Sequence, residues 1–286
     1  MKNIFVISGG GCRGIIAAKA LSEVKVKPDL IIGTSVGAIL GAYLALRMQD
    51  DILKMFKDAA SVIFGEKKLR LPRYDLDATV TYLDRYIFKN KKCVDFQVPL
   101  VISSSDLAGA TTMYYRSDKE WLRDTSVGVF ISPSFAAPFY FKHVLIPEKE
   151  RVLSDGGVGY NNFPIMPAFI EAAKRKFLGK EECHFYAFGT GIEKNKREEK
   201  YAKLSKQGWF GWFGDIRAFL NVRSGGFARK SSLHEQINAG FNIAKNVEGV
   251  SFTYFDAYVN KDYQLDDVKG INEMEKLNIE KIEREF

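Results

Sequence analysis

Cysteine is scarce in this chain, and what there is forms no pattern. Cys12, Cys93 and Cys183 are the 3 thiols among 286 residues, an odd number that cannot all pair within one chain. None lies in a C-x-x-C or Cys/His spacing of the kind that binds zinc. A disulfide scaffold and a cysteine metal site are thereby set aside, and a reducing compartment is the simpler setting. Histidine is equally rare: only His143, His184 and His234 are present. No Pro/Ser/Gly linker divides the chain and no internal repeat recurs, which argues for one domain over 1–286. No cleaved secretory leader is expected, because the apolar run after Met1-Lys2-Asn3 is short and soon broken by glycine. The longest uncharged apolar stretch, Leu30 to Leu46, carries Gly33, Thr34, Ser35, Gly37 and Gly41 inside it, so it reads as strand, turn and buried helix rather than a membrane span. A net charge of +7 comes without a zinc finger, an RNP-type aromatic motif or a continuous basic helix, so nucleic acid is not the expected partner.

What is present is a regular alternation. With 46% hydrophobic and 27% charged residues the chain has ample material for a buried core. Apolar runs predict strands near 4–7, 30–33, 99–103, 142–146, 151–154 and 183–188. Helices are predicted after the first two glycine turns and near 50–63, 75–88 and 164–177. This pattern predicts an α/β fold, a three-layer α/β/α sandwich around a mostly parallel central sheet, with active residues on loops beyond the carboxyl ends of the strands.

The most informative segment is Gly33-Thr34-Ser35-Val36-Gly37, between the apolar run Leu30-Ile31-Ile32 and the helix-like run Ala38 to Leu44. Strand, G-x-S-x-G and helix together predict a nucleophile elbow, in which two glycines let the backbone turn tightly around a strained serine and expose its hydroxyl. A second strand, glycine turn and helix lies upstream, as Ile4 to Ile7, then Ser8-Gly9-Gly10-Gly11-Cys12-Arg13-Gly14, then Ile15 to Leu21. Bare amides at a helix start favour an anion or a developing oxyanion. The expected donors are the amides of Gly9 to Gly14, chiefly Gly10, Gly11 and Cys12, with Arg13 bracing the loop. The same glycines also fit G-x-G-x-x-G, the dinucleotide fingerprint, which would need a carboxylate at the end of the next strand. That strand ends instead at Gly33-Thr34-Ser35.

A third turn, Asp155-Gly156-Gly157, follows Arg151-Val152-Leu153-Ser154 and puts an aspartate at a strand end. A serine nucleophile needs a base, usually histidine. His143 and His184 occupy alternating, strand-like stretches, whereas His234 lies in a polar helix-like one. Ser35, Asp155 and His234 formally follow the α/β-hydrolase order, yet that fold places several strands before its elbow, and here only one strand and one helix precede residue 30.

The glycine loop, the G-x-S-x-G elbow and the D-G-G turn, in that order, resemble the patatin-like phospholipase family. The resemblance extends to Ser132-Pro133-Ser134-Phe135-Ala136-Ala137-Pro138, to Phe188-Gly189-Thr190-Gly191 and to the segment from Gln264-Leu265-Asp266-Asp267 to Leu277. It departs at Ser8, where many members carry aspartate, and at Cys12. The resemblance implies a serine lipid acyl hydrolase of the phospholipase A or lysophospholipase type, working through a Ser35–Asp155 dyad without histidine. No metal-ligand cluster stands in the sequence, so neither a cofactor nor a calcium requirement is expected. An acyl-CoA acyltransferase built on the same elbow, or a non-catalytic lipid-binding protein, is the alternative.

The surface bears on the substrate. Gly208-Trp209-Phe210-Gly211-Trp212-Phe213-Gly214 sets two aromatic pairs on a glycine frame beside Lys203, Lys206 and Arg217, a composition suited to the headgroup layer of an anionic membrane or to packing over the active-site groove. Further basic clusters occur at Lys67-Lys68-Leu69-Arg70 and Lys89-Asn90-Lys91-Lys92. The charge run over residues 192–207 reads as a solvated helix face or loop. The expectation is a cytoplasmic protein, peripheral on a membrane surface, with a phospholipid or lysophospholipid as substrate.

Overall fold

The computed structural model describes residues 1–48, 51–65, 67–159, 161–193, 227–260 and 263–283. Its centre is built by the first two apolar runs. β1 (Lys2–Ile7) and β2 (Leu30–Thr34) pair in parallel, with Ile4 opposite Leu30 and Ile7 opposite Gly33. Neither run alternates with polar residues, because both faces of the sheet are covered. Ile4, Val6, Leu30 and Ile32 enter one buried cluster, while Phe5, Ile7 and Ile31 enter the other.

Among the described residues the main sheet has nine strands. From one edge they run β11 (Glu280–Ile282), β9 (Val250–Asp256), β7 (Cys183–Phe188), β1, β2, β3 (Leu100–Asp106), β6 (Arg151–Asp155) and β5 (Val144–Ile146), with β4 (Thr111–Arg116) also paired to β3. Strands β9, β7, β1, β2 and β3 are parallel, and β11, β4, β6 and β5 each run antiparallel to a neighbour. A short second sheet pairs β8 (Ile192–Glu193) with β10 (Tyr258–Val259).

Helices cover both faces. Apolar residues of α1 (Gly14–Glu23), α2 (Val36–Ala45), α3 (Ile52–Ile63), α4 (Leu76–Tyr82), α5 (Val127–Phe135) and α8 (Ile271–Glu275) join the cluster of Phe5 and Ile7. Ile165, Ala168 and Ala172 of α6 (Ile165–Lys174) and Ile237 of α7 (Phe227–Asn246) join the cluster of Ile4 and Val6. This is the three-layer α/β/α sandwich that the alternation predicts. Helix α3 starts where Asp51 caps it, its carboxylate accepting from the amides of Leu53 and Lys54. The helix predicted near 75–88 is α4 followed by a wider turn over Leu83–Ile87, and the strand predicted at 142–146 is shortened to β5, leaving His143 just outside it. Strand β4 is fastened to α6 by a forked ion pair between Arg116 and the buried Glu171, with Nε to Oε2 at 2.8 Å.

One feature of the pairing positions the site. Residues 101–106 of β3 are matched along one edge by β4, so β2, opposite residues 100–103, and β6, opposite 104–106, must share the other edge. They approach head to head there: β2 ends with Thr34 opposite Ser103, and β6 arrives from the other direction and ends with Asp155 opposite Ser104. The residues that follow Thr34 and that end β6 are thereby brought together.

Candidate active site

Ser35 sits at the turn between β2 and α2 with φ 56° and ψ −125°, a conformation that a side chain rarely adopts and that the surroundings must enforce. The enforcement comes from close packing of backbone on backbone. A Cβ at Gly37 would stand 2.3 Å from the Ile7 carbonyl oxygen, so only glycine lets α2 start this near to β1. The Ser35 amide donates to the hydroxyl of the fully buried Ser134 at 3.0 Å, and its carbonyl accepts from the Ala38 amide at 2.9 Å. Below it, the Thr34 hydroxyl donates to the Asn161 carbonyl at 2.7 Å and lies 2.6 Å from Ser103 Oγ.

The Ser35 hydroxyl donates to Asp155 Oδ2 at 2.6 Å. Asp155 is 5% exposed, and its other oxygen accepts from the Gly157 amide at 2.7 Å, the D-G-G turn holding the carboxylate of its own first residue. Its amide donates to the Ala136 carbonyl at 3.0 Å, so the stretch after α5 supports both the serine, through Ser134, and the aspartate.

The glycine loop lies directly on the elbow: a Cβ at Gly9 would be 3.0 Å from Ser35 Cβ. Asn162 clamps the loop on both sides, accepting from the Gly9 amide through its carbonyl at 2.9 Å and donating from Nδ2 to the Gly9 carbonyl at 3.2 Å. Thr190 donates to the same carbonyl at 2.8 Å. Gly11 has φ 56°, and a Cβ there would meet the Leu265 carbonyl oxygen at 2.3 Å, so both conformation and space call for glycine. The expected donors divide. Cys12 gives its amide to Leu265 O at 2.7 Å, Arg13 to Gly10 O at 3.2 Å, and Gly14 to the carbonyls of Gly11 and Cys12. Among the described residues only the Gly10 and Gly11 amides of this loop meet no acceptor. Cys12, one of the expected donors, is thus committed elsewhere. Its thiol is buried, which together with the charges of Asp266 and Asp267 pushes it well above the ordinary cysteine range, so it is a packing residue and no nucleophile.

The patatin-like phospholipase family model matches residues 5–169, from β1 into α6 and across all three of these turns. This chain belongs to the patatin-like phospholipase family. Among curated relatives, mouse patatin-like phospholipase domain-containing protein 6 is 27% identical over 170 residues, covering 56% of this chain and 12% of that protein. The cGAMP-activated phospholipase of Vibrio cholerae is 25% identical over 201 residues, covering 58% and 56%. Patatin-like protein 2 of Oryza sativa is 26% identical over 269 residues, covering 74% and 66%. The chain therefore corresponds to a small part of the first of these relatives and to somewhat more than half of the second.

Beyond the family's three turns, a further buried carboxylate stands behind the glycine loop. Thr190, which holds Gly9, belongs to the Gly189-Thr190-Gly191 turn. The Gly191 amide donates to Asp256 Oδ1 at 2.7 Å, as does the Ala257 amide at 2.7 Å, while the Tyr254 hydroxyl donates to Oδ2. Asp256 is wholly buried, and burial pushes its carboxyl up to about 6, against the pull of those three donors and of the Arg13 charge. The folded chain then holds a proton that the unfolded chain, near 3.8, has released. The stability this proton confers is present at low pH and is lost as pH rises from about 4 to about 6. Asp256→Asn is neutral throughout and keeps an acceptor for Gly191, so it is expected to flatten that part of the profile. Urea unfolding of both proteins at a series of pH values measures this, and parallel profiles would exclude Asp256 as the titrating group.

Of the histidines, His184 is fixed within the sheet, its ring nitrogens 2.6 Å from Ser251 Oγ and 2.9 Å from Thr253 Oγ1, and burial lowers its pKa. His234 lies in α7. Trp209, Phe210, Trp212 and Phe213 lie outside the described residues. Among the described residues no cluster of three or more His, Cys, Asp or Glu could hold a metal, and no helix is long and apolar enough to cross a membrane. Sequence reasoning gave no role to Ser134, Asn162, Thr190 or Leu265, which position the elbow and the glycine loop; each lies within or beside a block of the family pattern, and that proximity was the available signal.

Proposed function

We propose that this protein is a serine lipid acyl hydrolase of the phospholipase A or lysophospholipase type, with residues 1–286 acting as one catalytic domain. The observation that carries the reading is the 2.6 Å hydrogen bond from Ser35 Oγ to Asp155, beside the two uncommitted amides of Gly10 and Gly11. In the reaction Ser35 Oγ forms a bond to the ester carbonyl carbon as its proton passes to Asp155. The carbonyl oxygen becomes an oxyanion facing the Gly10 and Gly11 amides, where each donor is worth about 2–4 kcal/mol. As the tetrahedral intermediate collapses, the bond to the alcohol oxygen breaks and Asp155 returns the proton to it, releasing a lysolipid or a glycerophospho-alcohol. Water then attacks the acyl-enzyme, giving its proton to Asp155, and Ser35 recovers it as the fatty acid leaves. Gly33, Thr34, Val36 and Gly37 hold the serine, Gly156 and Gly157 the aspartate. Membership of a phospholipase family and the names of the relatives support a lipid ester as substrate.

A peripheral membrane setting follows from such a substrate. Trp209, Phe210, Trp212 and Phe213 are assigned on their sequence alone to contact with the bilayer. Changing Trp209 and Trp212 to Ala is expected to weaken sedimentation with anionic vesicles and to slow their hydrolysis, while a soluble short-chain ester is turned over as before. Equal losses on both substrates would place these aromatics over the groove, and unchanged vesicle binding would remove them from membrane contact. The reading itself is tested by hydrolysis of phospholipid vesicles by the purified protein and by its Ser35→Ala variant.

A further inference from the structure

The connection between α3 and α4 carries Lys67-Lys68-Leu69-Arg70-Leu71-Pro72-Arg73, and its leucines are turned outward: Leu69 is fully exposed and Leu71 is 60% exposed. Exposing two leucines on one short loop forgoes burial that each could have gained in the core. The Lys68 amide donates to the Arg73 carbonyl at 2.9 Å, closing the loop on itself. Backbone bonds from Arg73 N to Phe139 O at 3.0 Å and from Tyr74 N to Tyr140 O at 2.8 Å lay it against a second segment, from which Phe139, 52% exposed, also projects. Large apolar side chains thus stand out from two adjoining segments, interleaved with cations.

The loop is rooted at the candidate active site on both sides. Asp266, nearly buried, accepts from Lys67 Nζ and from the Tyr74 hydroxyl, each at 2.8 Å, with Arg73 3.7 Å away. The preceding residue, Leu265, holds the Cys12 amide of the glycine loop at 2.7 Å. On the other side, the segment of Phe139 and Tyr140 follows Ala136, which holds the Asp155 amide, and Ser134, which holds the Ser35 amide. Lys67 is drawn inward by Asp266, and Lys68 leans on Asp75 at 3.4 Å in an exposed pair that is worth little in water. Arg70 stands exposed between the two leucines.

We propose that the Lys67–Pro72 loop, with Phe139 beside it, is the surface on which this protein docks to an anionic lipid bilayer, Leu69, Leu71 and Phe139 entering the headgroup layer and Lys68 and Arg70 meeting its phosphates. Protruding apolar tips ringed by positive charge match the boundary between acyl chains and an anionic headgroup layer. Docking there brings the rim of the site to the lipid. The inference rests on reading the protein as a lipid acyl hydrolase, and it uses residues separate from the tryptophan segment.

Binding is measured on the Ser35→Ala protein, so that hydrolysis does not consume the vesicles, by sedimentation with vesicles of phosphatidylcholine alone and of phosphatidylcholine with phosphatidylglycerol at low salt. Leu69→Ser combined with Leu71→Ser is expected to weaken binding to the anionic vesicles roughly tenfold. Arg70→Glu is expected to do the same on anionic vesicles and to have little effect on neutral ones. In protein that retains Ser35, the same loop changes are expected to leave hydrolysis of a soluble short-chain ester within roughly twofold, since Leu69, Arg70 and Leu71 are all exposed to solvent. Unchanged binding to anionic vesicles overturns the proposal, as does a parallel loss of soluble-ester hydrolysis, which would make the loop part of the site's framework. A dimer that Leu69→Ser with Leu71→Ser dissociates, with vesicle binding untouched, overturns it in favour of a second copy of the chain. Because binding is read without turnover, an absence of hydrolase activity in the parent protein leaves the docking result standing, and a negative docking result leaves the hydrolase reading standing.

Discussion

Ser35→Ala is expected to lower kcat for ester hydrolysis by on the order of a thousandfold or more while the fold stays intact. In the proposed reaction the change removes the one atom that forms the covalent bond to the acyl carbon, and it leaves the rest of the elbow in place. Ser134 still receives the residue 35 amide, Gly157 still holds Asp155, and the strained turn is enforced by neighbouring backbone rather than by the hydroxyl. A fluorophosphonate probe is expected to label the parent on the peptide containing Ser35 and to leave the variant unlabelled, with circular dichroism confirming that both are folded. Labelling of a different serine, or activity that survives the substitution, would remove Ser35 from its role.

Asp155→Asn is expected to be as damaging as Ser35→Ala. Asparagine fits the same space and can accept from Gly157 or Ser35, but it cannot take the serine proton, so a large loss with the fold retained isolates proton transfer from packing. Each histidine, by contrast, is expected to tolerate replacement by Gln with activity within roughly tenfold. The geometry behind this is the direct contact of serine with carboxylate at 2.6 Å, together with the confinement of His184 between Ser251 and Thr253 in the sheet. A collapse in kcat on His234→Gln alone, in a folded protein, would instead establish a Ser–His–Asp triad.

The core of the fold was legible because its signals are local. Two unbroken apolar runs, each closed by a glycine turn and followed by a helix-like run, give β1-α1 and β2-α2, and burial on both faces explains why those runs do not alternate. The elements that went unseen are those whose structure depends on distant neighbours. Strand β4 is half exposed and owes its existence to the edge of β3, and β9 interleaves Ser251 and Thr253 with aromatics, so neither has a long apolar run. Helix α5 contains Gly128 and Pro133, poor helix formers, yet it is helical because Phe130, Ile131 and Phe135 are buried against the sheet.

The site divides in the same way. Ser35, the glycine loop and Asp155 were legible as turns at strand ends, and their order in the chain carried the family resemblance. Their convergence beyond the carboxyl ends of the strands is what such a sheet leads one to expect; the route to it is not legible, because it depends on β6 running antiparallel on the edge of β3 already used by β2, so that two strands end face to face. The commitment of the Cys12 amide was equally hidden, since its acceptor, Leu265, lies at the far end of the chain and acts through a backbone carbonyl that any residue type would supply. Side-chain identity announces a nucleophile; it does not announce which amides are left to face an oxyanion.

Cleavage of phospholipid acyl esters by Ser35 is best tested with a lipid extract incubated with parent protein and with Ser35→Ala, then read by mass spectrometry. The parent is expected to release free fatty acid with the matching lysophospholipid or glycerophospho-alcohol, and Ser35→Ala to leave the extract unchanged. Release by both proteins would remove Ser35 as the nucleophile, and no loss of any acyl lipid with the parent would remove phospholipid esters as the substrate.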